Sequence, residues 1–600
     1  MADSISPPKP HASSRLNAAL QKATNALLAE RCPEGHWTGH LSSSALSTAT
    51  AVIALTQVDP KAHAPQIRRG LEWLVQHSNP DGGWGDTVLS KSNISTTALV
   101  WAAFGACAAD SIFPEAVARA AAWLEIHAKG RTLVEAITAR YGKDHTFSVP
   151  ILMVLALSGR LGKHGWKQVP ALPFELATLP RSFYGAIRLP VVSYALPALI
   201  AIGQAIHHHA PSRNPILRTL RSLARQSTLR ILEAIQPPNG GFLEATPLTS
   251  FVTMALASMG LLHHPVTNRG VQFLLESVRE DGSWPIDTNL ATWVSTLSIK
   301  ALSHQPDWSD SEFQAVLRHW LLGQQYQAYH PYTGAAPGGW AWTNLPGGVP
   351  DADDTAGALL ALLALGTPDP QILSQGNAGV SWLLGLQNHD GGIPTFCRGW
   401  GALPFDRSSP DITAHVLRAW VRWLPLLETT LRTATLRAIQ RAIHFLSRTQ
   451  APDGSWSPLW FGNQHGADEQ NPTYGTTHVL LALQELVASD FELPPTVFEH
   501  GVKWLLSAQQ ASGGWGGSVG GPPSTEETAL AVEAIADLDK EAAHRGTLWL
   551  MGHIEDDTWN QAAPIGLYFA KLWYYDRLYP LIFTVAALGK VNVSEDVSSS

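Results

Sequence analysis

Arg68 to Gly85 reads RRGLEWLVQHSNPDGGWG, and its pattern returns along the chain. NRGVQFLLESVREDGSW ends at Trp284, NAGVSWLLGLQNHDGGI at Ile393, RAIHFLSRTQAPDGSW at Trp456 and HGVKWLLSAQQASGGW at Trp515. Weaker copies end at Trp37 (CPEGHW), Phe242 (QPPNGGF) and Trp340 (APGGW). Self-similarity at such spacing is the mark of a repeat architecture. Within each unit an apolar set such as Val502, Leu505 and Leu506 recurs at helical spacing. A Gly-rich turn then ends the helix, because Gly takes the backbone angles that a helix stop requires. A second helix follows, opening on Ser, Thr or Asp, as in STATAVIAL from Ser47, STTALVWAAF from Ser95 and DDTAGALLAL from Asp353. The Trp after each turn is expected to wedge between neighbouring helix pairs, with its N–H finding a partner.

No strand periodicity competes with this pattern. The fold class is all-α, built from helix pairs that close into α/α barrels or stay open as a solenoid. The repeats run from about residue 20 to 590, and the Pro- and aromatic-rich stretch from Gly130 to His209 interrupts them. That stretch reads as a loop-rich insertion or a membrane-contacting segment.

Composition narrows the classes of function. The 600 residues hold 41 Lys+Arg and 49 Asp+Glu, a formal charge of -8, so no basic excess points to nucleic acid. With 45% apolar residues and only 15% charged, the chain can build large cores and is not a disordered one. Cys32, Cys107 and Cys397 stand far apart, which suits a reducing compartment. The opening MADSISPPKPHASS has no signal-peptide apolar run, and Leu189 to Ile206, the longest apolar stretch, is broken by Pro190 and Pro197. A spanning helix is not expected. The run His207-His208-His209 reads as an exposed polar stretch, and EDDTW at 555–559 as a polar turn, not a magnesium motif.

Superposing the second helices on their Thr-Ala and Ala-Leu positions isolates one position. It holds Ser95 in an early repeat, then Trp293, Asp353, Asp411, Tyr474 and Glu526. Equivalent helix starts in a barrel share one rim, and a scaffold has no reason to crowd that rim with acids and aromatics. DADDTA places Asp351, Asp353 and Asp354 within four residues. One of them suffices to cap a helix. Three repel, and one is forced to keep its proton at neutral pH, which is how a carboxyl group becomes a proton donor. His415 follows Asp411 by four residues, on the same helix face, within reach of a carboxyl across the rim. No zinc-type pairing of His with Cys is present.

These residues resemble a known family. Gly-rich turns ending in Trp resemble the QW motifs of squalene-hopene and oxidosqualene cyclases, and DADDTA resembles the DxDDTA motif of bacterial class II terpene cyclases. The resemblance implies two α/α-barrel domains around an apolar cavity. One is an inserted barrel over residues 18–288. The other is a catalytic barrel over 289–600, joined by the N-terminal 1–17. It implies Asp353 as the acid that protonates a terminal alkene, with Asp351 and Asp354 supporting it, and Asp411 and His415 interacting with it. Tyr474 resembles a Tyr that helps return the proton through water. Trp293, Trp342 and Tyr574 resemble aromatics of the cavity. Trp400 and Phe405 are substrate-binding candidates in a segment, Gly391 to His415, that is shorter than its family counterpart. Ala563 stands where the family often has Phe, which favours incomplete cyclisation or a substrate other than squalene.

The implied reaction is cationic polycyclisation of squalene or a related linear polyprenoid, an isomerase reaction with no organic cofactor and no metal. The implied partners are the polyprenoid and a membrane surface, at whose cytoplasmic face the protein would sit as a monotopic enzyme, with a homodimer left open. Two other readings compete. A prenyl-diphosphate cyclase would need a basic site, for which Arg181, Arg188 and Arg398 are candidates. An α/α-barrel carbohydrate enzyme would place paired carboxyls about 5–9.5 Å apart in an open, polar cleft.

Overall fold

The computed structural model describes residues 12–142, 145–187, 194–305, 308, 311–401, 403–566 and 571–599. Its helices form two closed rings. Among the described residues, the first ring has five inner helices, Ala45–Val58, Ile94–Ala106, His145–Leu157, Leu196–His209 and Thr246–Ser258. Each packs on the next, and the last packs on the first. The second ring has six: Ala291–Leu302, Ala352–Ala364, Pro410–Trp423, Pro472–Ala488, Thr525–Ile535 and Leu578–Ser599, again closed on itself. Outer helices run between the inner ones. The composition of each helix explains its layer. Ala45–Val58 buries every side chain from Ala45 to Leu55, whereas outer helix Ala64–Gln76 buries only Ile67, Gly70, Leu71, Trp73 and Leu74. A helix that is apolar all round must be surrounded, and one with a single apolar stripe must face water.

Two hydrogen bonds repeat at the turns. The backbone N–H of the turn-ending aromatic is accepted by a hydroxyl on an inner helix: Trp84 by Thr97, Trp340 by Thr355, Trp456 by Thr476, Trp515 by Thr528. Phe242 uses Thr249 and Ile393 uses Thr413 in the same way. The indole N–H of Trp84, Trp284, Trp456 and Trp515 reaches back ten residues, to the carbonyls of Leu74, Leu274, Leu446 and Leu505 at 2.7–2.8 Å. The Gly that turns the chain before these aromatics has a positive φ, 90° at Gly82 and 98° at Gly454, a region that disfavours any side chain.

Two of these bonds cross between distant parts of the chain. Trp37 N–H goes to Ser295, and Trp284 N–H goes to Thr48. The first helix, Ala12–Ala29, packs on Leu578–Ser599 and Lys540–Glu555. Arg15 and Lys22 on it pair with Glu555 and Asp557, which accounts for the EDDTW segment as a surface contact. That helix and its turn therefore sit with the second ring. The chain enters the first ring at Ser43–Ser44, later than residue 18, and leaves it at Trp284–Pro285, near residue 288. The two crossings pair as short antiparallel strands.

The repeat-free stretch from Gly130 to His209 is not an insertion, although residues 143–144 and 188–193 lie outside the described residues. It supplies inner helices His145–Leu157 and Leu196–His209, mostly apolar and lacking the Gly-Trp turn. Of the three consecutive histidines that end it, His209 stacks on Trp166 at 4.1 Å.

The staple can be tested away from the acidic rim. Thr48→Val keeps the shape and removes the acceptor for the buried N–H of Trp284. Equilibrium denaturation is expected to show a loss of about 1–3 kcal/mol, with catalysis per folded molecule unchanged. Wild-type stability would remove this hydrogen bond from the account of the fold.

Candidate active site

The staple fixes the rotation of each inner helix in the second ring. The residue two positions before the stapled hydroxyl is Trp293, Asp353, Asp411, Tyr474 and Glu526 in five successive helices. Chain geometry thus brings to one rim the residues that the sequence superposition placed together.

DADDTA divides its labour. The helix begins at Ala352, not Asp353, and Asp351 is its cap: one oxygen accepts the N–H groups of Asp353 and Asp354, both at 2.9 Å. Asp353 is thereby spared from capping. Asp351 and Asp354 are buried, and Asp351 Oδ2 and Asp354 Oδ1 have no donor among the described residues. Desolvation raises both carboxyls, and the charge of Asp351 raises Asp354 further. A side-chain hydrogen bond between the two accounts for both orphaned oxygens, with the proton on Asp354 and Asp351 accepting. Asp353 stays 18% exposed among these buried neighbours, and its Oδ1 lies 2.6 Å from His415 Nδ1.

Asp411 is buried, receives a hydrogen bond from Ser409, and has its carboxyl pushed up to about 7, by burial first, with the nearby Asp353 adding to it. Burial raises the Tyr474 phenol well above its usual range, and the charges of Asp353, Asp411 and Tyr574 add to this. His415, Asp353, Asp411 and Tyr474 therefore form one cluster. Assigning the His415 Nδ1 proton from its partner, that N–H donates to Asp353 Oδ1, leaving Oδ2 as the oxygen from which a proton could depart.

Aromatic rings line the same region. Trp293 meets His415 edge-on at 6.3 Å and stacks with Phe461, which lies 4.5 Å from Tyr474. Its indole donates to Tyr579, whose hydroxyl is 3.0 Å from that of Tyr574. Trp342 is held beside Trp293, because its carbonyl accepts the N–H groups of Thr292 and Trp293. Trp342 leads through Phe396, at 6.3 Å, to Trp460, Phe405 and Tyr194. Phe405 thus joins the aromatic lining. Trp400 does not: it is 64% exposed and donates its indole N–H to the carbonyl of Ile187. Its flanking glycines carry the chain outward there. Phe396, Trp460, Phe461 and Tyr579 were not singled out from the sequence. They lie outside the repeated motif, and only the ring geometry assembles them.

The profile of the squalene-hopene cyclase C-terminal domain matches residues 290–593, and that of the N-terminal domain matches 20–195. The chain belongs to the squalene-hopene cyclase family. Squalene-hopene cyclases are class II terpene cyclases, isomerases of the intramolecular-transferase type, and the acidic rim is what that chemistry requires. The squalene–hopene cyclase of Alicyclobacillus acidocaldarius is 25% identical, over 95% of this chain and 96% of its own length. The terpene cyclase-glycosyl transferase fusion protein of Humicola fuscoatra is also 25% identical; the match covers 95% of this chain but 49% of the fusion protein, so the chain spans about half of that relative. The ent-copalyl diphosphate synthase of Streptomyces platensis shares the fold, with a TM-score of 0.52 at 18% identity over 97% of this chain and all of that one. The open polar cleft of a carbohydrate enzyme does not fit the buried carboxyls.

Asp411 gives the site a pH signature. Its folded pKa of about 7 lies above the ordinary carboxyl value, so its contribution to stability is complete below about pH 4 and is lost as pH rises through 7. The full shift corresponds to about 4 kcal/mol. Asp411→Asn should flatten the fall in melting temperature between pH 5 and pH 8, measured by calorimetry. Parallel curves for variant and wild type would show that Asp411 does not change its ionisation on folding.

Proposed function

We propose that Asp353 protonates the terminal double bond of a linear polyprenoid, of squalene's length or related to it, and so starts a cationic polycyclisation. The observation that carries this reading is the isolation of one accessible carboxyl. Asp353 is bound to His415 while every other acid of the cluster is buried. Oδ2 delivers the proton to the alkene, the π electrons form the new C–H bond, and a tertiary cation results. His415 stabilises the carboxylate left behind through its bond to Oδ1. Folded double bonds then attack in turn, held close by the walls. The faces of Trp293, Trp342 and Phe461 stabilise the moving charge by about 0.5–2 kcal/mol each without taking a proton. Tyr474, held protonated by burial, helps water return a proton to Asp353 after the reaction. The mechanism asks nothing of Arg398, which is exposed; Arg188 and the side chain of Arg181 lie outside the described residues.

Incubation with squalene in D2O, with and without EDTA, should give a cyclic product carrying a deuteron at the former terminal alkene carbon, unaffected by the chelator. Folded Asp353→Asn should lose at least about 10³-fold in rate, since the amide retains the shape and lacks the acidic proton. Wild-type turnover by that variant would remove Asp353 from the acid role.

The substrate is oily, and the surface offers a place for it to enter. Leu176, Leu179, Phe183, Ile187, Trp400 and Leu403 are exposed. Trp400 is tied to Ile187, and the 174–178 segment packs on helix Pro215–Ile235, which exposes Ile216, Leu220 and Leu223. Among the described residues, no helix is long and apolar enough to cross a membrane. We propose that this patch dips into one leaflet, making the enzyme monotopic. Flotation with phosphatidylglycerol–phosphatidylcholine vesicles should recover the wild type, while Leu223→Glu with Trp400→Glu should stay with the soluble fraction. Equal flotation of both would place the membrane contact elsewhere.

A further inference from the structure

Glu526 holds the rim position in helix Thr525–Ile535 that Asp353 and Asp411 hold in theirs, two residues before the hydroxyl that staples Trp515. The cap of this helix is Ser524, so Glu526, like Asp353, is not used for capping. Its neighbour Glu527 is satisfied by structure: Asn463 and Asn471 donate to one oxygen and Ser524 to the other. Glu526 is only half satisfied. Oε1 accepts the N–H of Ala563 at 2.8 Å, and Oε2 is buried without a hydrogen bond of its own, because the nearby Ser524 hydroxyl donates to Glu527. The residue as a whole is 1% exposed. A purely structural position would carry an apolar side chain here, because a buried polar atom without a partner is destabilising.

The protonation state says what kind of partner is missing. Burial, and secondarily the adjacent Glu527, push the Glu526 carboxyl up to about 8. At neutral pH it carries its proton and acts as a hydrogen-bond donor. The register it shares with Asp353, Asp411 and Tyr474 directs it to the same rim. A donor built into an otherwise apolar wall discriminates strongly against a ligand that has no acceptor to offer.

On the cyclase reading above, we propose that Glu526 is a specificity-determining residue that hydrogen-bonds through Oε2 to an oxygen atom carried by the substrate. Helix Thr525–Ile535 stands opposite Ala352–Ala364 in the six-helix ring, so the preferred substrate is then a polyprenoid whose hydroxyl or carbonyl oxygen lies across the ring from the alkene, not a pure hydrocarbon. No covalent step is assigned to Glu526. It binds the oxygen while Asp353, on the opposite helix of the ring, begins the reaction.

The test compares geranylgeraniol with the hydrocarbon of equal chain length and double-bond number, by kcat/KM. The wild type is expected to favour the alcohol at least tenfold. Glu526→Leu should reduce that ratio to near one, and Glu526→Gln, which keeps a donor, should preserve most of it. Circular dichroism and melting curves establish that the variants are folded, and Glu526→Ala, which also removes the donor, serves if the Leu variant is not. An unchanged ratio in a folded Glu526→Leu protein would overturn the proposal. So would a result in which only the alcohol-to-alkene product ratio from the hydrocarbon shifts, with ¹⁸O incorporated from H₂¹⁸O, for then the carboxyl holds a water. Cyclisation of both compounds without preference would overturn this inference and leave the Asp353 mechanism standing. Cyclisation of neither, nor of squalene, would overturn both.

Discussion

The structure depends on a hydroxyl that accepts a backbone N–H. Each stapled inner helix is fixed in rotation by the Thr or Ser that takes the N–H of the turn-ending aromatic. The bond is worth about 1 kcal/mol net, yet its geometric effect is large. It determines which side of each inner helix meets the enclosed space, so the residue two positions earlier is always presented at the rim. A ring of such helices is a display, and chemistry is installed by changing one residue per helix. Ser95 occupies the position in the first ring, and its hydroxyl bonds that of Tyr141. In the second ring the same position carries the acids.

Placing several acids together inside a protein is costly, and the structure limits the cost by keeping most of them uncharged. Burial raises the carboxyls of Asp351, Asp354, Asp411 and Glu526 above their ordinary range. Charge is handled differently deeper in the ring. There Lys300 pairs with Glu533 at 2.7 Å, and Arg418 and Arg422 both pair with Glu485. His478 lies between these two layers, its ring tilted against Tyr474 at 4.3 Å, and burial with nearby Lys300, His415 and Arg418 keeps it neutral. Neutral acids above and matched ion pairs below let the ring hold polar groups without an unpaired charge in its wall.

The repeats were legible because they are local. A Gly turn, a Trp and an apolar helical stripe are written within twenty residues, and the rim position followed from laying one unit on another. Asp353, Asp411, His415 and Tyr474 could be read that way. Helix starts were misplaced by two or three residues, since the caps are Ser44, Asn93 and Asp351 and not the Ser and Asp that follow them. The division between Asp351 as cap and Asp353 as free carboxyl needed the backbone. Helices His145–Leu157 and Leu196–His209 were invisible as repeats because no Gly-Trp turn announces them. Trp400 shows the opposite failure: an aromatic in the right segment whose direction depends on a loop. The Gln that opens several turns also escaped notice, although Gln387, Gln450 and Gln509 each tie a turn carbonyl to the next outer helix.

The place of the acid in the helix has a consequence for the proposed reaction. Asp353 stands in the first turn of Ala352–Ala364, where the helix dipole favours negative charge. When its proton leaves, the new carboxylate has the helix N-terminus behind it and His415 at its side, while the positive charge moves off along the substrate. The two charges are thus stabilised in different places: the anion by the helix dipole and the His415 N–H, the cation by aromatic faces that offer no base. The rim of N-termini is therefore more than a convenient surface on which to mount an acid. It is the part of an α/α ring where a carboxyl group can give up a proton into an apolar space and remain charged long enough for rings to form.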